Sequence, residues 1–307
     1  MTENGNDART VVVAGASGLI GRTLVASLKA DGVPVVTLVR EAPRAPGEVR
    51  WRPGSEPLDP EVLRGARAVV VLNGASIGRL PWTRGYRRRL WESRLVPARA
   101  VATAVRSLGH EAPALVSASA VGYYGSVPGV PLTEGAPAGS TFLARLCVAW
   151  EAEAALAGPL ARVAMLRTAP VVHPEAVLKP LVLLTRLGLG GPIGRGTQVW
   201  PWISLTDEVR AIRHIIDGDL AGPVNLAGPT PATANQLGRA VAGAVHRPFW
   251  LPVPEFALRL VLGRDAADSL LTADADVRPA ALEGAGFVFR HRTVDDAVTD
   301  ALGPATR

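Results

Sequence analysis

The sequence predicts an α/β protein built on a doubly wound parallel sheet. Three observations predict it. A β-branched apolar run, residues 10–14, passes through a glycine turn into a segment with helical spacing. Short apolar runs at residues 33–39, 68–72, 114–118 and 161–167 then alternate with helical stretches. From about residue 177 that alternation loosens, as expected for a smaller appended lobe. The architecture is therefore of Rossmann type, with about six or seven parallel strands and a C-terminal substrate lobe.

The glycine turn is the most informative stretch. It reads Gly15-Ala16-Ser17-Gly18-Leu19-Ile20-Gly21, and Ile20, Leu24 and Leu28 follow at helical spacing. Gly15 lets the chain reverse tightly. Gly18, lacking a Cβ, lets a diphosphate approach the backbone. Gly21 lets the helix pack closely on the strand, and the helix N-terminus offers free N–H groups to phosphate. A glycine motif alone is weak, but one set between a strand and a helix with a second strand behind it is specific.

The second strand ends in Arg40, where an acidic residue would hold the ribose 2′-hydroxyl of NAD. A guanidinium there suits the 2′-phosphate of NADP, with Arg44 as a second cation, so the expected cofactor is NADP(H). The third strand, residues 68–72, ends in Leu72-Asn73-Gly74-Ala75. Small residues at a strand's carboxyl end leave room for the adenosine side of the cofactor.

Length and composition bound the rest. A chain of 307 residues suggests one large domain or two smaller ones. It is 48% hydrophobic and 20% charged, enough apolar content for a sizeable core. The formal charge is +6, and all 33 basic residues except Lys29 and Lys179 are arginine. These arginines are scattered. The densest run, Arg84 and Arg87 to Arg89, reads as one solvated helix turn, so nucleic acid is not an expected partner. Cys147 is the only cysteine, which excludes an intramolecular disulfide, and the five histidines lack ligand spacing, so no metal is expected. Residues 1–9 read as a flexible polar N-terminus without a signal peptide's apolar region. No window of about 18 apolar residues suggests a membrane partner, and a cytoplasmic location is the expectation.

Further along, helices are expected at residues 83–108 and 141–156, and a strand at 114–118 leads into Ser119-Ala120-Val121-Gly122-Tyr123-Tyr124-Gly125. A proline-containing loop through Pro128, Pro131 and Glu134 follows. The strand at 161–167 ends in Thr168-Ala169-Pro170-Val171. With these residues the chain resembles an extended or atypical member of the short-chain dehydrogenase/reductase superfamily, in its NAD-dependent epimerase/dehydratase branch. The glycine spacing is that branch's form, and Ser117-Ala118-Ser119, Tyr124-Gly125 and Pro131-Leu132-Thr133-Glu134 match its serine, Tyr-Gly and Pro…Glu segment. More narrowly, it resembles epimerase-like proteins of bacteria and organelles that carry a C-terminal domain of unknown function. Trp82 to Arg94, Phe142-Leu143-Ala144, Cys147, Trp150-Glu151, Gly188 to Gly191, Trp202-Ile203, Asp207, Gly222 to Asn225 and Arg247-Pro248 carry that likeness. His173-Pro174-Glu175 stands where that subfamily has a longer glycine-rich loop.

The resemblance implies a serine, tyrosine and lysine mechanism, in which the lysine lowers the tyrosine's pKa and holds the nicotinamide ribose. Ser119 matches the serine, and Ser117, Pro170 and Val171 join the expected cofactor set. The tyrosine–lysine pair belongs on the helix that begins near Thr141, where the chain reads Thr141-Phe142-Leu143-Ala144-Arg145-Leu146-Cys147. Neither residue is present, and both lysines lie elsewhere. Three readings follow. Tyr123 or Tyr124 serves as the acid with Arg145 supplying charge, and Glu134, Cys147 and Glu151 are further polar candidates. Alternatively the acid is weak or borne by the substrate. In the third, the fold binds NADP(H) without catalysis, as a regulatory or sensor protein. Cys147, Trp150 and Glu151 also have a plain packing reading.

In the C-terminal third, Gln198, Trp200 and Trp202 are candidates for the pocket floor, so Glu134, Gln198 and Trp202 form the expected substrate set. Thr206 is the expected cap of a helix running to Asp217. The domain division expected is residues 10–175 for the cofactor and 176–307 for the lobe, with elements near 199–227 returning to the first. The function expected is an NADP(H)-dependent oxidoreductase or epimerase-like enzyme acting on a small molecule, as a monomer or homodimer. Titration with both nucleotides should show tighter binding of NADPH than of NADH; tighter NADH binding would overturn the assignment of Arg40.

Overall fold

A computed structural model describes residues 10–303. The expected flexible segment, residues 1–9, lies outside the described residues. The first half contains strands β1 (Val11–Ala14), β2 (Val35–Val39), β3 (Glu48–Arg50), β4 (Ala68–Val71), β5 (Ala114–Ala120) and β6 (Val127–Leu132). Its helices are α1 (Leu19–Ala30), α2 (Arg84–Ser107) and α3 (Phe142–Ala155). The second half contains β7 (Val163–Thr168), β8 (Val171–Val172), β9 (Val199–Trp200), β10 (Ile203–Ser204), β11 (Gly222–Leu226), β12 (Ala232–Thr233) and β13 (Ala275–Val277). Its helices are α4 (Leu178–Arg186), α5 (Leu205–Asp217), α6 (Ala234–Ala244), α7 (Glu255–Leu262), α8 (Arg264–Leu270), α9 (Ala280–Gly284) and α10 (Val294–Leu302).

Seven strands form one parallel sheet in the order β11-β7-β5-β4-β1-β2-β3. The order reverses between β1 and β4, so a crevice opens there at the strands' carboxyl ends. β1 and β4 are buried along their whole length, as continuous apolar runs in a parallel sheet must be. Helices cover both faces. One face packs Val11, Val13, Leu24 and Val116 against Ile212 and Ile215 of α5. The other packs Val12, Val69 and Leu115 against Val101 and Val105 of α2.

The structure corrects several expected boundaries. The edge strand β3 was not anticipated, because its three residues carry no long apolar run. The expected loop through Pro128 and Pro131 is strand β6, paired in parallel with β13. Proline fits there because β6 has no second neighbour needing its N–H groups. The cap of α5 is Ser204, not Thr206: the Ser204 hydroxyl accepts from the Asp207 amide at 3.0 Å. Asp207 in turn accepts from the Arg290 and His291 amides at 2.8 and 2.9 Å, which fastens the tail to this helix. Helix α8 follows α7 directly at Gly263, where one longer helix is broken by a residue with φ of +82°.

Glu208, one position after Asp207, is fully buried. Thr168 Oγ1 donates to its Oε1 at 2.9 Å, and its Oε2 has no partner. Burial pushes the Glu208 carboxyl up to about 8, from an ordinary 4.5. The folded chain then holds a proton that the unfolded chain has already released. Stability should therefore fall as pH rises from about 5 to about 8 and level off above. Glu208→Gln should flatten that profile, gaining up to roughly 4 kcal/mol on the wild type between those pH values in urea denaturation.

Candidate active site

The glycine turn joins β1 to α1 and closes against the end of β4. Gly15 has φ of +84°, and a Cβ on it would stand 2.7 Å from the Leu72 carbonyl carbon and 2.9 Å from the Asn73 amide. A Cβ on Gly21 would overlap the Gly15 carbonyl oxygen. Around Gly18, by contrast, the nearest atom would be 3.4 Å away, and Ser17 and Gly18 are exposed. The first backbone bond of α1 runs from Arg22 to the Gly18 carbonyl, so the amides of Leu19, Ile20 and Gly21 precede the helical ladder. Ala16 is half-buried between them. Beside this turn the buried Asn73 Oδ1 has no hydrogen-bond partner. A close backbone cradle and three free amides fit a dinucleotide diphosphate, and the orphaned Asn73 acceptor suits a hydroxyl of its ribose. Arg40 and Arg44 are exposed, and their guanidinium groups form no ion pair among the described residues. Glu175 pairs with Arg22 of α1 at 2.5 Å, on the same side of the turn.

The carboxyl ends of β5 and β7 carry a buried polar network. Arg167, 3% exposed, lies at its centre. Its Nε and Nη2 donate to the two Glu151 oxygens, each at 2.9 Å. Its Nη1 donates to the Tyr124 hydroxyl at 2.9 Å and to the Glu134 carbonyl at 3.1 Å. Its guanidinium stacks on the Tyr123 ring, 3.5 Å from the centroid. Ser119 donates to Glu151 Oε1 at 2.7 Å, and Tyr124 donates to Asn225 Oδ1 at 2.7 Å. Asn225 Nδ2 then donates to the carbonyls of Leu132 and Arg278.

This geometry sorts the expected catalytic residues. Tyr124 has no exposed surface, and its hydroxyl both donates and accepts within the network. Burial raises its pKa above the ordinary tyrosine value, against the lowering effect of Arg167 and Asn225. Tyr123 is half-buried, and its hydroxyl has no partner among the described residues. The single O–H of Ser119 is committed to Glu151, so its remaining capacity is to accept. Arg145 is exposed and donates to the Ser140 carbonyl, away from Ser119. Cys147 is buried beside Ser119 and Ala120, and burial pushes its thiol up to about 12.

The expected substrate set is not brought together. Glu134 Oε1 accepts from the backbone amides of Asn225 and Ala281 at 3.1 and 3.0 Å. Gln198, 1% exposed, donates to the carbonyls of Ile193 and Leu271. Trp202 is buried, donates to the Thr230 carbonyl at 3.0 Å and packs across Gly228. Among the expected cofactor residues, Leu72 and Ala75 flank the crevice, half-buried; Pro170 is exposed; Ser117 and Val171 are buried in the sheet and core. Sequence reasoning missed Arg167 and Arg94. Arg94 ends the Trp82–Arg94 stretch and Arg167 ends the strand at 161–167, but an arginine-rich chain offers no signal to single either out.

Sheet order, glycine cradle and crevice define a dinucleotide-binding α/β protein. The NAD dependent epimerase/dehydratase family matches residues 11–227, and the domain of unknown function DUF1731 matches residues 253–301. The chain belongs to the NAD dependent epimerase/dehydratase family. It is 41% identical to Epimerase family protein Mb2239 of Mycobacterium bovis over 299 residues, covering 96% of this chain and 97% of that one. Among solved structures it is similar to human epimerase family protein SDR39U1, isoform 2, crystallised with NADPH. That match has a TM-score of 0.86 and 27% identity, covering 95% of this chain and 99% of the human one. A nucleoside-diphosphate sugar epimerase of Corynebacterium glutamicum gives a TM-score of 0.78 at 31% identity, covering 97% of this chain and 59% of that one.

Removing the network's central cation tests its structural weight. Arg167→Met leaves Glu151 a buried, unpaired carboxylate, so it should cost about 3–5 kcal/mol in chemical denaturation. Tyr124→Phe, which deletes one hydroxyl, should cost about 1 kcal/mol or slightly more.

Proposed function

We propose that this chain is an NADP(H)-dependent oxidoreductase or epimerase-like enzyme acting on a small molecule. The observation that carries the reading is the cradle at Gly15–Gly21, which admits no side chain at either end and leaves three amides free, with unpaired Arg40 beyond the end of the neighbouring strand. Human SDR39U1, crystallised with NADPH, supports the same nucleotide here. Arg40, with Arg44 four positions on, pairs with the 2′-phosphate, and these two exposed positive charges favour NADP(H) over NAD(H). When bound, the nicotinamide gives or takes a hydride, and the protein's task is to hold the substrate oxygen and move its proton.

Ser119 lies at the carboxyl end of β5, on the far side of the crevice from Arg40. Glu151 fixes its rotamer, and Arg167 fixes Glu151. Ser119 then positions the substrate by accepting a hydrogen bond from a hydroxyl. Tyr123 is the proton donor or acceptor in this reading, because its hydroxyl is uncommitted while that of Tyr124 is saturated. Tyr124 acts as a positioning residue that holds Arg167 beneath the Tyr123 ring. A second reading, an NADP(H)-binding regulatory protein without catalysis, is favoured by two observations. The site holds no lysine, and the Cys147 thiol beside Ser119 stays protonated at neutral pH.

Reduction of a panel of carbonyl compounds by NADPH separates the two readings. With a turned-over substrate in hand, Tyr123→Phe should lower turnover by roughly 10²-fold while leaving NADPH affinity unchanged. Full turnover in that variant removes Tyr123 from the mechanism, and NADPH binding without oxidation of any panel member favours the regulatory reading.

A further inference from the structure

Arg94 is a positive charge with no acidic partner among the described residues, held against Gly74 and Ala75 just past the end of β4. It projects from α2, and its Nη1 and Nη2 donate to the carbonyls of Leu90 and Ala75 at 3.1 and 3.0 Å. Its Nε has no partner among the described residues, and the side chain forms no ion pair there. Trp150 of α3 lies on one side, 5.3 Å from ring centroid to guanidinium carbon. On another side is exposed Gly74, where a Cβ would stand 3.2 Å from that carbon. Burial lowers the Arg94 pKa, with Cys147 and Tyr86 acting against it, but arginine stays charged throughout.

The sheet order fixes what lies above it. Arg40 follows β2, the glycine turn follows β1, Gly74 follows β4 and Ser119 ends β5, and these four strands are neighbours in that order. A dinucleotide has two halves joined at the diphosphate. With the diphosphate at the glycine turn and the adenosine half toward Arg40, the other nucleoside half must cross β4 toward β5, so residues 72–75 fall on the nicotinamide side and not on the adenosine side expected from the sequence. Arg94 is the cation on that path, one strand beyond the diphosphate. Gly74 is bare where the guanidinium approaches.

We infer that Arg94 holds the ribose hydroxyls of the nicotinamide half of the cofactor through its uncommitted N–H groups. The positive charge that the superfamily supplies as a lysine from the following helix here comes from α2, while Cys147 of α3 fills the space beneath. This inference rests on the NADP(H) reading above. Its chemistry is that of a planar donor facing two vicinal hydroxyls, which a fixed guanidinium serves better than a flexible ammonium.

Calorimetric titration of the full chain with three ligands tests it. NADPH and 2′-phospho-ADP-ribose carry the second ribose; 2′-phosphoadenosine 5′-diphosphate lacks it. Arg94→Gln should weaken the first two by about tenfold or more and leave the third unchanged. Should Arg94→Gln fail to fold, Arg94→Lys carries the same comparison and should show a smaller loss confined to the same two ligands. An equal loss for all three ligands makes Arg94 a structural residue or a phosphate ligand and overturns the inference, as does unchanged affinity for all three. If the wild type binds none of them, the NADP(H) reading fails; if it binds them and the variants match it, only the role of Arg94 fails.

Discussion

Arg167 is a buried guanidinium with four of its N–H donors engaged, and those four bonds constrain the whole site. Its donors reach a carboxylate, a phenol and a backbone carbonyl, supplied by α3, the turn after β5 and the segment after β6. Each partner is thereby fixed relative to β7. Asn225 extends the arrangement from Tyr124 to the carbonyls of Leu132 and Arg278, and so ties the central sheet to the β6–β13 pair. The same bonds determine which groups are chemically free. Ser119 and Tyr124 are spoken for, and Tyr123 keeps its hydroxyl because only its ring face is used.

The cofactor side obeys a different constraint, one of distance rather than charge. At Gly15 and Gly21 the backbone of the turn, the helix and the end of β4 approach so closely that no Cβ fits. That contact holds the first turn of α1 against the sheet with its amides facing outward. Positive charge is then distributed along the crevice, with Arg40 and Arg44 exposed near β2 and Arg94 sunk beside β4. Among the described residues none of these three is neutralised by a neighbouring acid, unlike Arg167, Arg99 and Arg213, which are paired with Glu151, Glu153 and Asp31.

Polar staples tie the C-terminal segments to one another and, through Glu134, to the earlier chain. Asp207 holds the tail at Arg290 and His291; Glu134 accepts from Ala281; Asp274 accepts from Val199 and Arg195. A carboxylate that accepts two or more such bonds gains orientation, and so does the segment donating them. Glu134, which reads as a pocket residue in the sequence, holds segments together in this way, and Gln198 does so as a donor to the carbonyls of Ile193 and Leu271.

The sequence by itself determined the α/β class, the strand–glycine-turn–helix unit, the family and the absence of the usual tyrosine–lysine pair. Each is set by periodicity, by residues without a Cβ, by composition or by motifs along the chain, and none needs to know which distant side chains meet. Only the tertiary structure decided that Arg167, Glu151, Ser119 and the two tyrosines form one cluster, and that Arg94 rather than Arg145 lies beside the crevice. The hydrogen bonds of that cluster join residues 16 to 43 positions apart. In a chain with so many arginines, nothing local distinguishes a solvated guanidinium from one that the folded sheet encloses and must satisfy.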